Sequence, residues 1–234
     1  MKKGLRISLV TVIILLVAVG MFFLGKGTDR DHGMRTCTGL DIAVLDSASL
    51  GFVTVADVKE IIDKEYGVYI GKPLDSLNLK KIETLLVGRS AILTGEAFTT
   101  EDGLLHIYIT QRGPIVRFKT PDGGYYADET GYIFPLHPKY DSKVTLIQGD
   151  IPLVIPPGFK GEPATEEEKV WLKDVIGFVK SLTEDKKWEG AFSRIVFEKD
   201  GLVLYPSKGK ERFIFGGPDD FAGKLERIEK YYTN

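Results

Sequence analysis

An uncharged apolar run near the amino terminus is the feature that most constrains this chain. Residues 7–24 read ISLVTVIILLVAVGMFFL and carry no charged side chain. As an α-helix the run would be about 27 Å long at ~1.5 Å per residue, close to the ~30 Å hydrocarbon thickness of a bilayer. We therefore predict a single transmembrane helix over 7–24, with Ile7, Leu16 and Leu24 spaced along it, that anchors the chain in a membrane.

The charges on either side of this run predict its orientation. The head, residues 1–6, holds three basic residues, whereas the basic residues just after the run are accompanied by aspartates. The positive-inside bias then favours a cytoplasmic head and an exported body, that is, a single-pass type II protein. A cleaved signal peptide is the alternative, but the run is longer than a usual h-region and no A-x-A site follows it. A buried core helix is a further alternative, but such a helix would carry a polar face, and the run 7–24 does not.

Composition narrows the setting further. The net charge of −2 gives no indication of nucleic-acid binding, and the single cysteine, Cys37, allows no intramolecular disulfide. An exported body must then be stable through its core alone, which fits a bacterial inner-membrane protein that faces the periplasm. Residues 25–38 are mostly polar and predict a linker between the membrane anchor and the first folded domain.

The region after the linker alternates between strand and helix patterns. It predicts, in order, a strand, two helices and two strands, at Leu40–Leu45, Thr54–Tyr66, Asn78–Val87, Ala91–Phe98 and Leu104–Gln111. Thr54 with Asp57 resembles a capping box, and Val55, Val58, Ile61 and Ile62 form one apolar stripe. The order β-α-α-β-β, in which three strands can cover two helices, resembles a POTRA domain, which we place at 39–112.

From Pro114 onward the sequence predicts a second, β-rich domain over 113–234. Short strands and glycine turns are interrupted by a helix that starts with a capping box at Thr165 and by a last helix after Pro218. The Asp200-Gly201 pair suits a type I′ hairpin turn, and the last helix presents Phe221, Leu225, Ile228 and Tyr232 on one face. The fold class is therefore α+β, a mixed sheet with two helices after the POTRA-like domain.

No catalytic site is readable in the sequence. The three histidines have no metal-ligand spacing, no G-x-S-x-G nucleophile motif occurs, and the glycines near Tyr125 do not form a phosphate-binding loop. The acidic residues that could pair for acid–base catalysis all flank glycine turns, where such residues are common for backbone reasons. We expect no catalytic residue, cofactor, metal or small-molecule substrate.

The layout and several short motifs together resemble the FtsQ/DivIB family of bacterial cell-division proteins, with the spelling closest to Bacteroidota-type FtsQ. Gln111, Arg112 and Pro114 match a Q-R-x-P signature at the junction of the two domains. The other matching motifs are G-K-P-L at 71–74, Y-A-D-E-T-G at 126–131 with P-L at 135–136, and F-G at 215–216 before the final amphipathic helix.

The resemblance implies a non-catalytic scaffold at the division septum whose partners are FtsB- and FtsL-like proteins. In the family, FtsB docks chiefly by adding a strand beside the last strands of the β domain. Members usually carry one more strand after the final helix. The sequence ends at Asn234 before such a strand, so the docking site carried over is the preceding strand and the helix after it. The residues are Arg212, Phe213, Ile214, Phe215, Tyr231 and Tyr232.

Two other functions compete with this interpretation. The first is a POTRA-containing factor of envelope assembly or secretion, although the region after Pro114 has too few strands for the transmembrane barrel that such proteins carry. The second is an anchored envelope enzyme, which would need a convergent polar site. An open edge on the sheet that contains residues 212–215 would place the docking site there, and an edge covered by the chain's own loop would move it elsewhere.

Overall fold

The computed structural model describes residues 35–120 and 123–233, which form two compact units. One unit comprises the chain up to Leu45 with Thr54–Arg89 and Thr94–Thr110, and the other comprises Asp46–Val53, Ser90–Leu93 and Gln111–Asn234.

The predicted membrane helix at 7–24, with Ile7, Leu16 and Leu24, lies outside the described residues. No helix in the described ranges has the length and apolarity needed to cross a membrane. The domain limits 39–112 and 113–234 stay a prediction.

The first unit has the predicted element order. Its sheet has the strand order β1-β3-β2, and β1 runs parallel to β3. Two short helical segments, a π-helical turn at Ile62–Tyr66 and a 3₁₀ turn at Leu74–Ser76, join the helices. The elements are β1 (Gly39–Val44), α1 (Val55–Ile61), α2 (Leu79–Val87), β2 (Ile92–Thr99) and β3 (Leu104–Gln111).

The side chains along β3 alternate between half-buried and buried, so one face of this sheet is covered. Leu105, Ile107 and Ile109 are fully buried, and the residues between them are half-buried. The predicted capping box at Thr54 is present and starts α1. The apolar stripe of α1 is narrower than predicted, because Val55 is 50% exposed at the first position of the helix.

The second unit is built on a seven-stranded mixed sheet. Its strand order is β10-β9-β8-β7-β4-β5-β6, with parallel pairing of β4 to β7 and of β7 to β8 and antiparallel pairing elsewhere. Its strands are β4 (Pro114–Thr120), β5 (Gly123–Asp128), β6 (Ile133–Pro135), β7 (Thr145–Gly149), β8 (Phe192–Glu198), β9 (Gly201–Pro206) and β10 (Phe213–Gly216).

Two helices, α3 (Glu166–Glu184) and α4 (Phe221–Thr233), share one hydrophobic core with this sheet. The Thr165 hydroxyl accepts a hydrogen bond from the Glu168 N–H, and the Glu168 carboxylate accepts one from the Thr165 N–H. The predicted capping box is therefore present. Val175 and Phe178 of α3 belong to the same buried cluster as Phe118 of the interior strand β4. This core holds the end of the sheet that carries β10 in place.

Two local predictions are wrong. A type I′ turn needs positive φ at both central residues, but neither Lys199 nor Asp200 has a positive φ, and only Gly201 does, at 105°. Gly201 pairs with Glu198, which fits a turn followed by a left-handed glycine at a bulge. Tyr232 does not lie on the buried face of the last helix, since it is 52% exposed.

Candidate partner-binding edge

Strand β10 lies at one end of the seven-stranded sheet. In the described part of the chain its only paired strand is β9, with Phe213 opposite Leu204 and Ile214 opposite Val203. The register then shifts between Ile214 and Gly216, which leaves Phe215 in a bulge. The side of β10 away from β9 therefore presents backbone N–H and C=O groups to a potential additional strand.

The opposite end of the sheet is covered. Ile133 of β6 forms two backbone hydrogen bonds with Gly161, in which the Ile133 N–H donates at 2.8 Å and the Gly161 N–H donates at 2.9 Å. A segment of the same chain thus occupies the outer side of β6. Among the described strands of this sheet, the two ends differ: the β6 end is covered and the β10 end is open.

The side chains of β10 divide between core and solvent. Phe215 is buried and its ring lies 4.8 Å from that of Phe178, centroid to centroid. Ile214 points the other way and is 63% exposed. A β-branched side chain on an edge strand offers apolar area to a neighbour on the same face. The core therefore fixes the strand through Phe215 and leaves Ile214 free to contact a partner.

A groove of about 580 Å³ runs between β10 and α4. Phe213 makes edge-to-face contacts with Tyr231 and Tyr232, at centroid distances of 5.6 and 5.8 Å. Burial raises the pKa of the Tyr232 hydroxyl, and the nearby Glu211 carboxylate adds to this. The residues that line the groove are Arg212, Phe213, Ile214, Phe215, Lys224, Arg227, Ile228 and Tyr231.

Cationic side chains surround this groove. Arg212 is paired with Glu198 at 2.9 Å and Lys224 with Asp219 at 3.3 Å. The Arg227 guanidinium donates through Nε to the Gly223 carbonyl at 3.3 Å. The two carboxylates offset the charges of Arg212 and Lys224, so two of the three basic side chains that line the groove are ion-paired.

Gln111, the first residue of the predicted junction, is hydrogen-bonded to the loop at 46–53 in the second unit. It is 2% exposed, and its side-chain carbonyl accepts from Val53 N–H at 2.7 Å. Its amide nitrogen donates to the Asp46 carboxylate and to the Leu50 carbonyl, each at 2.9 Å, while its backbone N–H donates to Asp46 at 2.7 Å. Every polar group of this buried side chain is satisfied.

Arg112 and Pro114 complete the junction. The Arg112 guanidinium forms a buried ion pair with Asp128 and stacks over the Tyr132 ring, 3.8 Å from its centroid. Asp128 also accepts hydrogen bonds from the backbone of Thr130 and Tyr132, so the buried carboxylate is well satisfied. Pro114 starts β4 at a register shift, where a missing N–H is tolerated. The junction residues thus have structural roles.

The comparisons with known proteins agree with this architecture. The family described as POTRA-like domain matches residues 35–110, and the family described as FtsQ/DivIB, C-terminal related, matches residues 113–234. The second match covers more than half of the chain and contains both β10 and the groove. The chain belongs to the FtsQ/DivIB family. A search of the curated proteins found no match to the chain.

FtsQ/DivIB proteins are membrane proteins of the division site, and their partners belong to the division complex. Five of the six predicted contact residues line the groove beside β10 in this member. The sixth, Tyr232, does not line the groove but contacts Phe213, which does. The sequence analysis included the last helix as a whole but did not single out Lys224, Arg227 and Ile228 as lining residues. The spacing from Tyr231 back to Arg227 and Lys224 is four and then three residues, which places them on one helix face and could have revealed two of them.

The described residues contain no group of three or more His, Cys, Asp or Glu side chains that could hold a metal ion. Cys37 is buried and its thiol lies 3.4 Å from the Gly39 carbonyl.

Proposed function

We propose that this chain is a non-catalytic, single-pass scaffold of the bacterial cell-division complex. Its head would lie in the cytoplasm, its apolar run at 7–24 in the inner membrane, and its two folded units in the periplasm at the septum. FtsB- and FtsL-like proteins would be its partners. The open β10 edge, within the region that matches the FtsQ/DivIB family, is the observation that supports this best.

The docking mode we propose is the addition of a partner strand beside β10. Backbone hydrogen bonds across the edge would supply affinity, and alternate side chains of the partner strand would supply specificity. Ile214 would contact the apolar face of that strand, while Phe213 and Tyr231 would hold residues that enter the groove. The bulge at Phe215 limits the added ladder to a few residues.

Binding of an FtsB-like partner tests this proposal. Ile214→Lys places a charge on the exposed edge, where desolvation on binding would oppose docking. We expect the dissociation constant of the full chain for a purified FtsB–FtsL-like complex to rise at least tenfold, about 1.4 kcal/mol. Val170→Lys is the matched control, because Val170 is also exposed, at 58%, but lies on α3.

Two results would reject the docking mode. One is an Ile214→Lys variant that binds within twofold of the unmodified chain, and the other is an equal loss in the Val170→Lys control.

The membrane topology and the cellular location need separate measurements. A phosphatase that is active only in the periplasm, fused after Asn234, should be active, and a fluorescent fusion should concentrate at midcell in dividing cells.

A further inference from the structure

Two apolar side chains project from the loop that joins the π-helical turn to the 3₁₀ turn in the first unit. Val68 is 76% exposed and Ile70 is 51% exposed, whereas Tyr69 between them is buried. The Tyr69 hydroxyl donates a hydrogen bond to the Asp63 carboxylate at 3.1 Å. We call Val68 and Ile70 the loop pair. The buried tyrosine holds the loop against the unit, so the loop pair faces away from the core.

This loop is hydrogen-bonded to the segment through which the chain enters the first unit. The Cys37 N–H donates to the Lys72 carbonyl at 2.8 Å, and the Gly71 N–H donates to the Cys37 carbonyl at 2.7 Å. An antiparallel bridge between Thr36 and Pro73 extends this pairing. The loop pair is therefore fixed beside the start of the described chain.

A short stretch of sequence separates this start from the apolar run at 7–24. Residues 25–34 lie between them, which is ten residues. Since an extended chain covers at most ~3.3–3.6 Å per residue, residue 35 lies within about 40 Å of the end of the run. FtsQ/DivIB proteins are membrane proteins. With the run in the bilayer, the tether gives the loop pair a high effective concentration at the membrane surface.

A comparably exposed apolar side chain lies at the other end of the same sheet. Strand β1 starts at Gly39, opposite Leu104, and the Leu45 N–H just past its end donates to the Ile109 carbonyl at 2.9 Å. At ~3.3 Å per residue, Leu45 lies about 20 Å along the strand direction from Gly39. Leu45 is 64% exposed. It thus matches the loop pair in exposure but not in position.

Charge does not select what covers the loop pair. The segments that meet at this end, 35–38, 67–75 and 100–104, hold two basic and three acidic residues, a formal charge of −1. One of these bases, Arg35, is ion-paired with Glu101 at 3.5 Å. Attraction to anionic lipid headgroups is therefore not expected. Apolar side chains still gain by leaving water for the boundary between headgroups and acyl chains.

We propose that the loop pair inserts into the periplasmic surface of the membrane that holds the chain. This inference rests on the proposed anchor at 7–24, because the loop pair alone offers little apolar area. The contact turns the end of the first unit that carries Gly39 and Leu104 toward the bilayer. It is separate from the β10 edge and needs no partner protein.

Quenching of a fluorophore by lipid tests this contact in the full chain, reconstituted in phosphatidylcholine nanodiscs. The fluorophore nitrobenzoxadiazole is attached through Val68→Cys or, as the matched control, through Leu45→Cys. Cys37 is 1% exposed, so the unmodified chain serves as the blank for labelling. A second set of nanodiscs contains lipid with a nitroxide near the top of its acyl chain, which quenches only fluorophores that reach that depth.

We expect the nitroxide lipid to lower the emission of the probe at residue 68 at least twofold and that of the probe at residue 45 by less than a tenth. With the probe attached through Ile70→Cys, the added change Val68→Asp should remove at least half of the quenching, because a carboxylate opposes insertion. Leu45→Asp should leave the quenching unchanged, and so should replacement of half of the phosphatidylcholine by phosphatidylglycerol.

The possible failures are distinguishable. A chain that does not copurify with nanodiscs would overturn the proposed anchor, and the membrane contact with it. A chain that copurifies but whose probe at residue 68 is not quenched, or is quenched no more than the probe at residue 45, would overturn the membrane contact alone. A probe at residue 68 that is shielded only after an FtsB–FtsL-like complex is added would also overturn it, since the loop pair would then dock a protein.

Discussion

Replacement of Gln111 by glutamate is the sharpest test of the junction, because it changes one atom of a fully satisfied buried side chain. In Gln111→Glu the oxygen that accepts from Val53 N–H stays, but the amide nitrogen becomes a carboxylate oxygen. That oxygen would face Asp46 and the Leu50 carbonyl, each now 2.9 Å from the nitrogen. Two hydrogen bonds are replaced by contacts between acceptors.

The size of the effect follows from the two lost bonds. A hydrogen bond to a charged group contributes ~1.5–3 kcal/mol and a neutral one ~0.5–1.5 kcal/mol, and repulsion between the two carboxylates adds to both. We therefore expect Gln111→Glu to lower the free energy of unfolding of the second unit by about 3 kcal/mol. For a unit of this size that corresponds to a fall in Tm of roughly 10 °C.

Tryptophan fluorescence reports on the relevant unit, because both tryptophans, Trp171 and Trp188, lie in it. Adding Asp46→Asn to Gln111→Glu should restore at least half of the loss, since an asparagine amide can donate to the new carboxylate while its oxygen accepts from the backbone N–H of residue 111. A loss below about 1 kcal/mol in the single variant, or no recovery in the double variant, would refute the described network.

Three further variants test local features of the second unit. Gly201→Ala would put a Cβ 2.4 Å from the Gly216 backbone at a φ of 105°, and we expect a loss of about 2 kcal/mol in urea unfolding. Thr165→Ala removes the cap of α3 and should cost ~1 kcal/mol, whereas Thr165→Ser should cost much less. Hydrogen bonds from Val154 N–H and then Thr165 N–H hold the pKa of Glu168 below its usual 4.5. Because the folded pKa is lowered, this stabilisation is complete above 4.5 and is lost as the pH falls below it, so Glu168→Gln should flatten the acid side of a stability–pH profile.

Local signals in the sequence predicted much of the fold. Alternation in Leu104–Gln111 and the capping residues Thr54 and Thr165 act within a few positions of themselves, and each element starts or alternates as expected. The residues that we propose as partner contacts in the β10 groove were predicted from the motif resemblance and not from local periodicity. The order and type of the elements could therefore be predicted from the sequence alone.

Long-range pairing could not be predicted in the same way. The parallel pairing of β4 with β7 and of β7 with β8 depends on which distant strands bury the most surface together, and no local pattern encodes it. Gln111 was singled out by a signature, but its partners Asp46 and Val53 are about sixty residues away. Tyr232 was misplaced because helix periodicity does not say how wide the buried stripe is.

The chain segment that is hydrogen-bonded to the outer side of β6 limits how many strands can be added to the seven-stranded sheet. With Gly161 hydrogen-bonded to Ile133, the described sheet can grow only beyond β10, so it accepts one added strand and not two. Two copies that met through this seven-stranded sheet could then join only β10 to β10, an isologous contact that closes on itself. Assembly of copies through this sheet would therefore stop at two.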